Sequence, residues 1–238
     1  MPGWPTTLKF RIRTAVAMAV AAVSVFAACV FETRKQDPAI LIMGNSIMRN
    51  PPLPVIGWTG DWGMAATAPE KDYAHQLVRL LGEKGLDLEL HLAERDCPDC
   101  DGAIDEQIHN MDQVRRVRPR YVVVQLAEHS GEIELRSGKM ATQYRALLDS
   151  LRVAGVPRVY CVSSWGEKDP QGPHAAAMHT ALMDFPAYRY VDISPVAADT
   201  LNYGDTALFA NPGVRWHPGN TGMLKIAETL ASAIRADK

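Results

Sequence analysis

The run Ala39-Ile-Leu-Ile-Met-Gly-Asn-Ser-Ile-Met48 is apolar until it breaks at Gly44-Asn45-Ser46. A short, continuous apolar run closed by turn residues is the pattern of a strand buried on both faces, as found in parallel sheets. Ser46 then lies just past the carboxyl end of a central strand, the edge at which open α/β sheets bind ligands. A serine hydroxyl is too weak an acid to attack unaided, so a nucleophilic Ser46 requires a base within reach.

The chain beyond this strand alternates in a way that extends the same architecture. A long loop, Arg49 to Glu70, is punctuated by prolines and glycines but carries Trp58, Trp62 and Met64, more apolar area than a solvated loop holds. Tyr73, Leu77, Leu80 and Leu81 recur at helical spacing before Gly82. Leu86, Leu88, Leu90 and Leu92 alternate with polar residues, the pattern of a strand with one wetter face at a sheet edge. A helix around Ile104 to Val117, a central strand Tyr121–Leu126, a helix Met140–Val153, strands Val159–Ser163 and Tyr188–Ile193, and a last helix capped by Asn220 or Thr221 complete the series. Strands separated by helices of this length predict right-handed crossovers and an α/β domain with a parallel sheet covered on both faces. Ser46, Glu94, His129, Trp165 and His217 all follow a strand or precede a helix, so this topology gathers them on one edge.

Composition narrows the partners. The chain has 238 residues, 47% of them hydrophobic, which is enough for one α/β domain. Its 25 basic and 27 acidic side chains show no excess that would draw nucleic acid. Lys9, Arg11 and Arg13 precede an uncharged apolar run from Thr14 to Phe31. That layout predicts a signal peptide or a membrane anchor in residues 1–31, ahead of a globular domain in residues 32–238. Phe26-Ala27-Ala28-Cys29 adds a lipoprotein signal, with Cys29 as the lipidated residue. All three readings export the globular part to the periplasm or cell envelope and place the membrane contact in this segment. In that compartment Cys97-Pro98-Asp99-Cys100 reads as a local disulfide rather than a metal or redox site, and Cys161 as a buried small side chain. The spacing of the His and Cys residues completes no metal set, and no cofactor is expected.

Seven histidines are available as the base. His75 and His109 fall on predicted helices, His91 on a strand, and His174 and His179 in a further helical stretch. His217 occupies a loop fixed by Pro218 and leading into the last helix, a place from which an imidazole can reach across an active edge. No Gly-x-Ser-x-Gly elbow and no phosphate-cradling glycine loop is present, which argues against the α/β-hydrolase and dinucleotide-binding arrangements.

Four blocks, Gly44-Asn45-Ser46, Gly57-Trp-Thr-Gly-Asp-Trp-Gly-Met-Ala65, Gln125-Leu-Ala-Glu-His129 and His217-Pro-Gly-Asn-Thr-Gly-Met223, resemble in order and spacing those of the SGNH (GDSL-type) hydrolases. The resemblance implies a flavodoxin-like three-layer sandwich and a serine esterase acting on acyl esters of carbohydrates or lipids by hydrolysis or transfer. By block matching, Ser46 is the nucleophile, His217 the base, and the Ser46 and Gly63 N–H groups line the oxyanion hole. The sequence departs from the family at two places. Ala127-Glu128-His129 replaces the usual Gly-x-Asn, leaving the His129 ring as the substitute donor. Val214 stands where an aspartate usually orients the histidine, so a backbone carbonyl or Glu128 must do so in a Ser-His dyad. These departures also motivate a second reading, a binding or scaffold module that has kept the fold and lost the chemistry. Glu94-Arg95 reads as a local ion pair bordering the site or as a substrate contact. Trp58, Trp62 and Trp165 read either as an aromatic wall for a sugar ring or as large core residues.

Overall fold

The computed structural model describes residues 38–94 and 104–237. The expectations for residues 1–31, for the Cys97–Cys100 pair and for Arg95 lie outside the described residues.

Five strands, β1 (Ala39–Gly44), β2 (Glu89–Leu92), β3 (Tyr121–Gln125), β4 (Val159–Val162) and β5 (Arg189–Val191), form one sheet in the order β2-β1-β3-β4-β5. Every pairing is parallel, with Gly44 of β1 beside Gln125 of β3 at the carboxyl edge. This is the flavodoxin-like order, in which the winding reverses between β1 and β3 and leaves a crevice outside their carboxyl ends. β1, β3 and β4 are buried at every position, as their unbroken apolar sequences require. β2, at the edge, is only half-buried, as its alternation predicts, although it starts at Glu89 rather than Leu86.

The helices are α1 (Tyr73–Gly82), α2 (Met111–Val117), α3 (Glu132–Arg136), α4 (Lys139–Val153), α5 (Pro173–Leu182), α6 (Ser194–Ala198), α7 (Pro212–Trp216) and α8 (Asn220–Ala236). Successive residues of a strand point to opposite faces, and the sheet divides its core accordingly. Ile40, Ile42, Tyr121, Val123 and Tyr160 pack against Tyr73, Leu77 and Leu81 of α1 and Met223, Ile226 and Leu230 of α8. Leu41, Met43, Val122, Val124 and Cys161 pack against Val114 of α2, Tyr144 and Leu148 of α4 and Met178 of α5. The result is a three-layer α/β sandwich.

Two local expectations change. The predicted helix around Ile104 to Val117 begins with a 3-10 stretch, Ile104–Asn110, and becomes α-helical only at Met111. α8 is entered through Gly219 without a side-chain cap, because Asn220 turns away and its Oδ1 accepts the Thr67 N–H at 2.9 Å. That bond fastens the long loop to the start of α8, next to His217.

Candidate active site

Beyond β1 the backbone folds into a single tight turn. Asn45 organises it: its carbonyl accepts the Met48 and Arg49 N–H groups at 3.0 and 3.1 Å, and its Oδ1 accepts the Ile47 N–H at 3.1 Å. A Cβ at Gly44 would lie 2.7 Å from the Met48 Cβ, so only glycine lets the turn close on the strand. The Ser46 N–H makes no hydrogen bond among the described residues.

His217 comes from the other end of the chain. Asn211 caps α7, its Oδ1 accepting from Gly213 and Val214, and the chain leaves that helix at His217 in an extended conformation. Ser46 Oγ and His217 Nε2 are 2.7 Å apart, and His217 Nδ1 is 2.8 Å from the Gly213 carbonyl oxygen. A carbonyl only accepts, so Nδ1 carries the ring proton. The Nε2 lone pair then accepts the Ser46 O–H, the tautomer a general base needs. His217 is only 8% exposed, and burial, opposed by the Gly213 and Val214 backbone groups and by Glu128, pushes its pKa down to about 4.

This displacement has a sign that experiment can read. Between pH 4 and its ordinary value near 6.5, His217 is neutral in the fold and charged in the unfolded chain. The unfolded state therefore binds more protons, so stability is full above about pH 6.5 and declines as pH falls toward 4, by roughly 3 kcal/mol in all from this residue. Urea unfolding of the wild type and His217→Gln at pH 7.5 and 4.0 should show the smaller pH dependence in the variant. Equal dependence would contradict a neutral, buried His217.

Glu128 does not orient the imidazole. Its Oε2 accepts from Asn45 Nδ2 at 2.6 Å and from the Ala127 N–H at 3.0 Å, while Oε1 accepts from Gln125 Nε2 at 2.5 Å and the Trp165 N–H at 2.9 Å. Four donors occupy the carboxylate, and the orienting acceptor is the Gly213 carbonyl instead. Gly63 also departs from its expected part. Its N–H donates, at a long 3.4 Å, to Oδ2 of Asp72, which is fully buried at the N-cap of α1. A Cβ on Gly63 would meet the Ile47 carbonyl oxygen at 2.6 Å, so this glycine serves close packing behind the Ser46 turn.

Trp165 is fully buried, so it is no substrate wall; its Nε1 donates to the Trp216 carbonyl at 2.8 Å and its ring packs on Tyr203. Trp58 is likewise buried, meeting Trp62 edge-on and Phe209 at a tilt in a satellite cluster that includes Val214. The long loop thus buttresses the segment that bears His217. Trp216, 36% exposed and edge-on to the His217 ring, is the tryptophan at the site, and its only sequence signal was adjacency to His217. His129 is exposed, without a hydrogen bond among the described residues, and close enough for its charge to depress the His217 pKa. Glu94 is exposed and paired with Arg116 at 3.0 Å, while its N–H donates to Gln113 Oε1; neither interaction involves Ser46 or His217. Among the described residues no three His, Cys, Asp or Glu side chains gather as a metal set.

The fold and edge define an α/β sandwich with a hydrogen-bonded serine and histidine at its switch point. Among solved structures, this chain is similar to the psychrotrophic esterase EstA from Pseudoalteromonas sp., in a structure inhibited by monoethylphosphonate. The match has a TM-score of 0.57 and 14% identity, and covers 84% of this chain and 98% of that one. At that identity the likeness is one of fold. A second structure, DdhaC, matches with a TM-score of 0.36 and 12% identity over 67% of this chain and 46% of that one, too low to bear on the argument. No protein-family model and no curated protein matches the sequence.

Proposed function

We propose that the protein is a serine esterase of the SGNH type, exported to the cell envelope, acting on acyl esters of carbohydrates or lipids by hydrolysis or by transfer to an acceptor hydroxyl. The observation that carries this reading is the Ser46 Oγ to His217 Nε2 separation of 2.7 Å, with the imidazole proton fixed on the far nitrogen by the Gly213 carbonyl. His217 takes the Ser46 proton as Oγ attacks the ester carbonyl, then returns it to the departing alcohol, leaving an acyl-enzyme. Water, or an acceptor hydroxyl, is deprotonated by the same nitrogen and releases the acyl group. Because the His217 pKa lies near 4, the base is ready throughout the neutral range. A carbonyl dipole holds the tautomer as an aspartate would, but offers less stabilisation to the imidazolium formed during attack. The likeness in fold to an esterase that monoethylphosphonate inhibits agrees with this chemistry.

The tetrahedral oxyanion is received by the Ser46 N–H and by the His129 ring, the exposed side chain that stands where the family has asparagine. Removing one such donor typically lowers kcat about 10²–10³-fold. His129→Ala is therefore expected to reduce kcat toward a p-nitrophenyl ester about 100-fold with KM little changed, and His129→Asn to retain activity. Full activity in His129→Ala would remove His129 from the site, and wild type without ester hydrolysis or transfer would favour the binding-module reading. Export rests on the charges and apolar run of residues 1–31. Cell fractionation with and without that segment tests it, equal distribution being the contrary result.

A further inference from the structure

Two residues at the active edge precede the reacting pair by one position: Asn45 before Ser46, and Trp216 before His217. Both are held from the same point. Asn45 Nδ2 donates to Glu128 Oε2 at 2.6 Å, and the Trp165 N–H donates to Glu128 Oε1 at 2.9 Å. The Trp165 indole N–H in turn donates to the Trp216 carbonyl at 2.8 Å. Asn45 and Trp165 are almost wholly buried, and Gln125 Nε2 and the Ala127 N–H complete the carboxylate's four donors. A line of hydrogen bonds thus runs from the nucleophile turn after β1, through the turn after β3, to the segment after β4 and on to the base.

We propose that Glu128 is a positioning residue whose carboxylate sets the spacing between Ser46 and His217, by tying Asn45 on one side to Trp165 and the Trp216 carbonyl on the other. The inference rests on the esterase reading above, but concerns a residue that touches neither substrate nor the reacting atoms. Chemistry explains why the position needs an acid rather than an amide. Each carboxylate oxygen meets two N–H donors, and a carboxylate is acceptor-only. Glutamine at this position has the same shape, but its NH2 group would confront two donors wherever it turned. The switch point between β1 and β3 makes the tie effective, because the two turns it joins diverge from neighbouring strands. Without it, the Asn45 side chain and the Trp165 N–H lose their common anchor, and a misplacement of about 1 Å can cost on the order of 100-fold in rate.

The test is a reciprocal exchange. Glu128→Gln is expected to lower kcat toward a p-nitrophenyl ester about 100-fold with KM within about threefold. Asn45→Asp should also be impaired, because it sets two carboxylates against each other. The double variant Asn45→Asp/Glu128→Gln restores a donor facing an acceptor at that contact, leaving only the Ala127 N–H opposed to the new amide, and should recover at least about tenfold over either single change. Wild-type kcat in folded Glu128→Gln, or no recovery in the double variant, would overturn the proposal. Should Glu128→Gln fail to fold, Trp165→Phe removes a single N–H from the line and is expected to lower kcat about tenfold with KM retained; unchanged kcat would count against the tie. If wild type proves to have no ester activity, the function reading fails while the tie stays testable by crystallography of Glu128→Gln. Widening of the Ser46 Oγ to His217 Nε2 distance from 2.7 Å would support it, and an unchanged distance would refute it.

Discussion

His217→Ala is expected to lower kcat/KM for an activated ester by at least about 10³-fold, and Ser46→Ala to do the same, with the double variant scarcely worse than either. The size follows from dependence of one group on the other. In the proposed mechanism Ser46 attacks only while its proton has somewhere to go, and Nε2 at 2.7 Å is the acceptor within reach. Non-additivity is the informative part, since two residues acting through one proton transfer cannot each contribute separately. Thermal unfolding should show that Ser46→Ala is folded, because Ser46 is only partly buried and its hydroxyl bonds to nothing else among the described residues. Independent, additive losses would mean that the two side chains are neighbours without being partners.

Trp165→Ala should have the largest effect on stability. Trp165 is fully buried; its indole lies 4.9 Å from the Tyr203 ring and its N–H satisfies the Trp216 carbonyl. Truncation leaves a cavity between the sheet edge and the His217 segment and an unpaired carbonyl. The expected cost is about 3–5 kcal/mol, which for a domain of this size lowers Tm by roughly 10 °C. Urea unfolding of wild type and variant at pH 7.5 measures it directly. A loss below about 1 kcal/mol would show that this side chain does not hold the β4 edge to the base.

Much of this arrangement can be read in the sequence, and the parts that cannot share a physical cause. The unbroken apolar runs of β1, β3 and β4 are legible because a strand buried on both faces tolerates little else. Ser46 and His217 stand out because turn residues and Pro218 place them at element boundaries, and the parallel topology brings such boundaries together. Helices α3, α6 and α7 have five residues each, too few for a 3.6-residue period to emerge. The Gly213 carbonyl that orients His217 leaves no trace in side-chain identity, since every residue carries one; Val214 records only the lack of the usual acid. Glu128 was visible as a candidate, but its partners Asn45 and Trp165 lie 83 and 37 positions away, and its saturation by four donors exists only in space. Block position alone puts Gly63 at the oxyanion hole. Its N–H meets the buried Asp72 carboxylate at 3.4 Å, a contact no local pattern reports.

Activation of Ser46 by His217 is tested most directly by covalent labelling. Folded protein is treated with a fluorophosphonate at pH 7.5, and the adduct is located by intact mass and peptide mapping. A single adduct on Ser46 is expected, absent in Ser46→Ala and formed at least about 100-fold more slowly in His217→Ala. No adduct on the folded wild type, or one formed equally fast without His217, would contradict it.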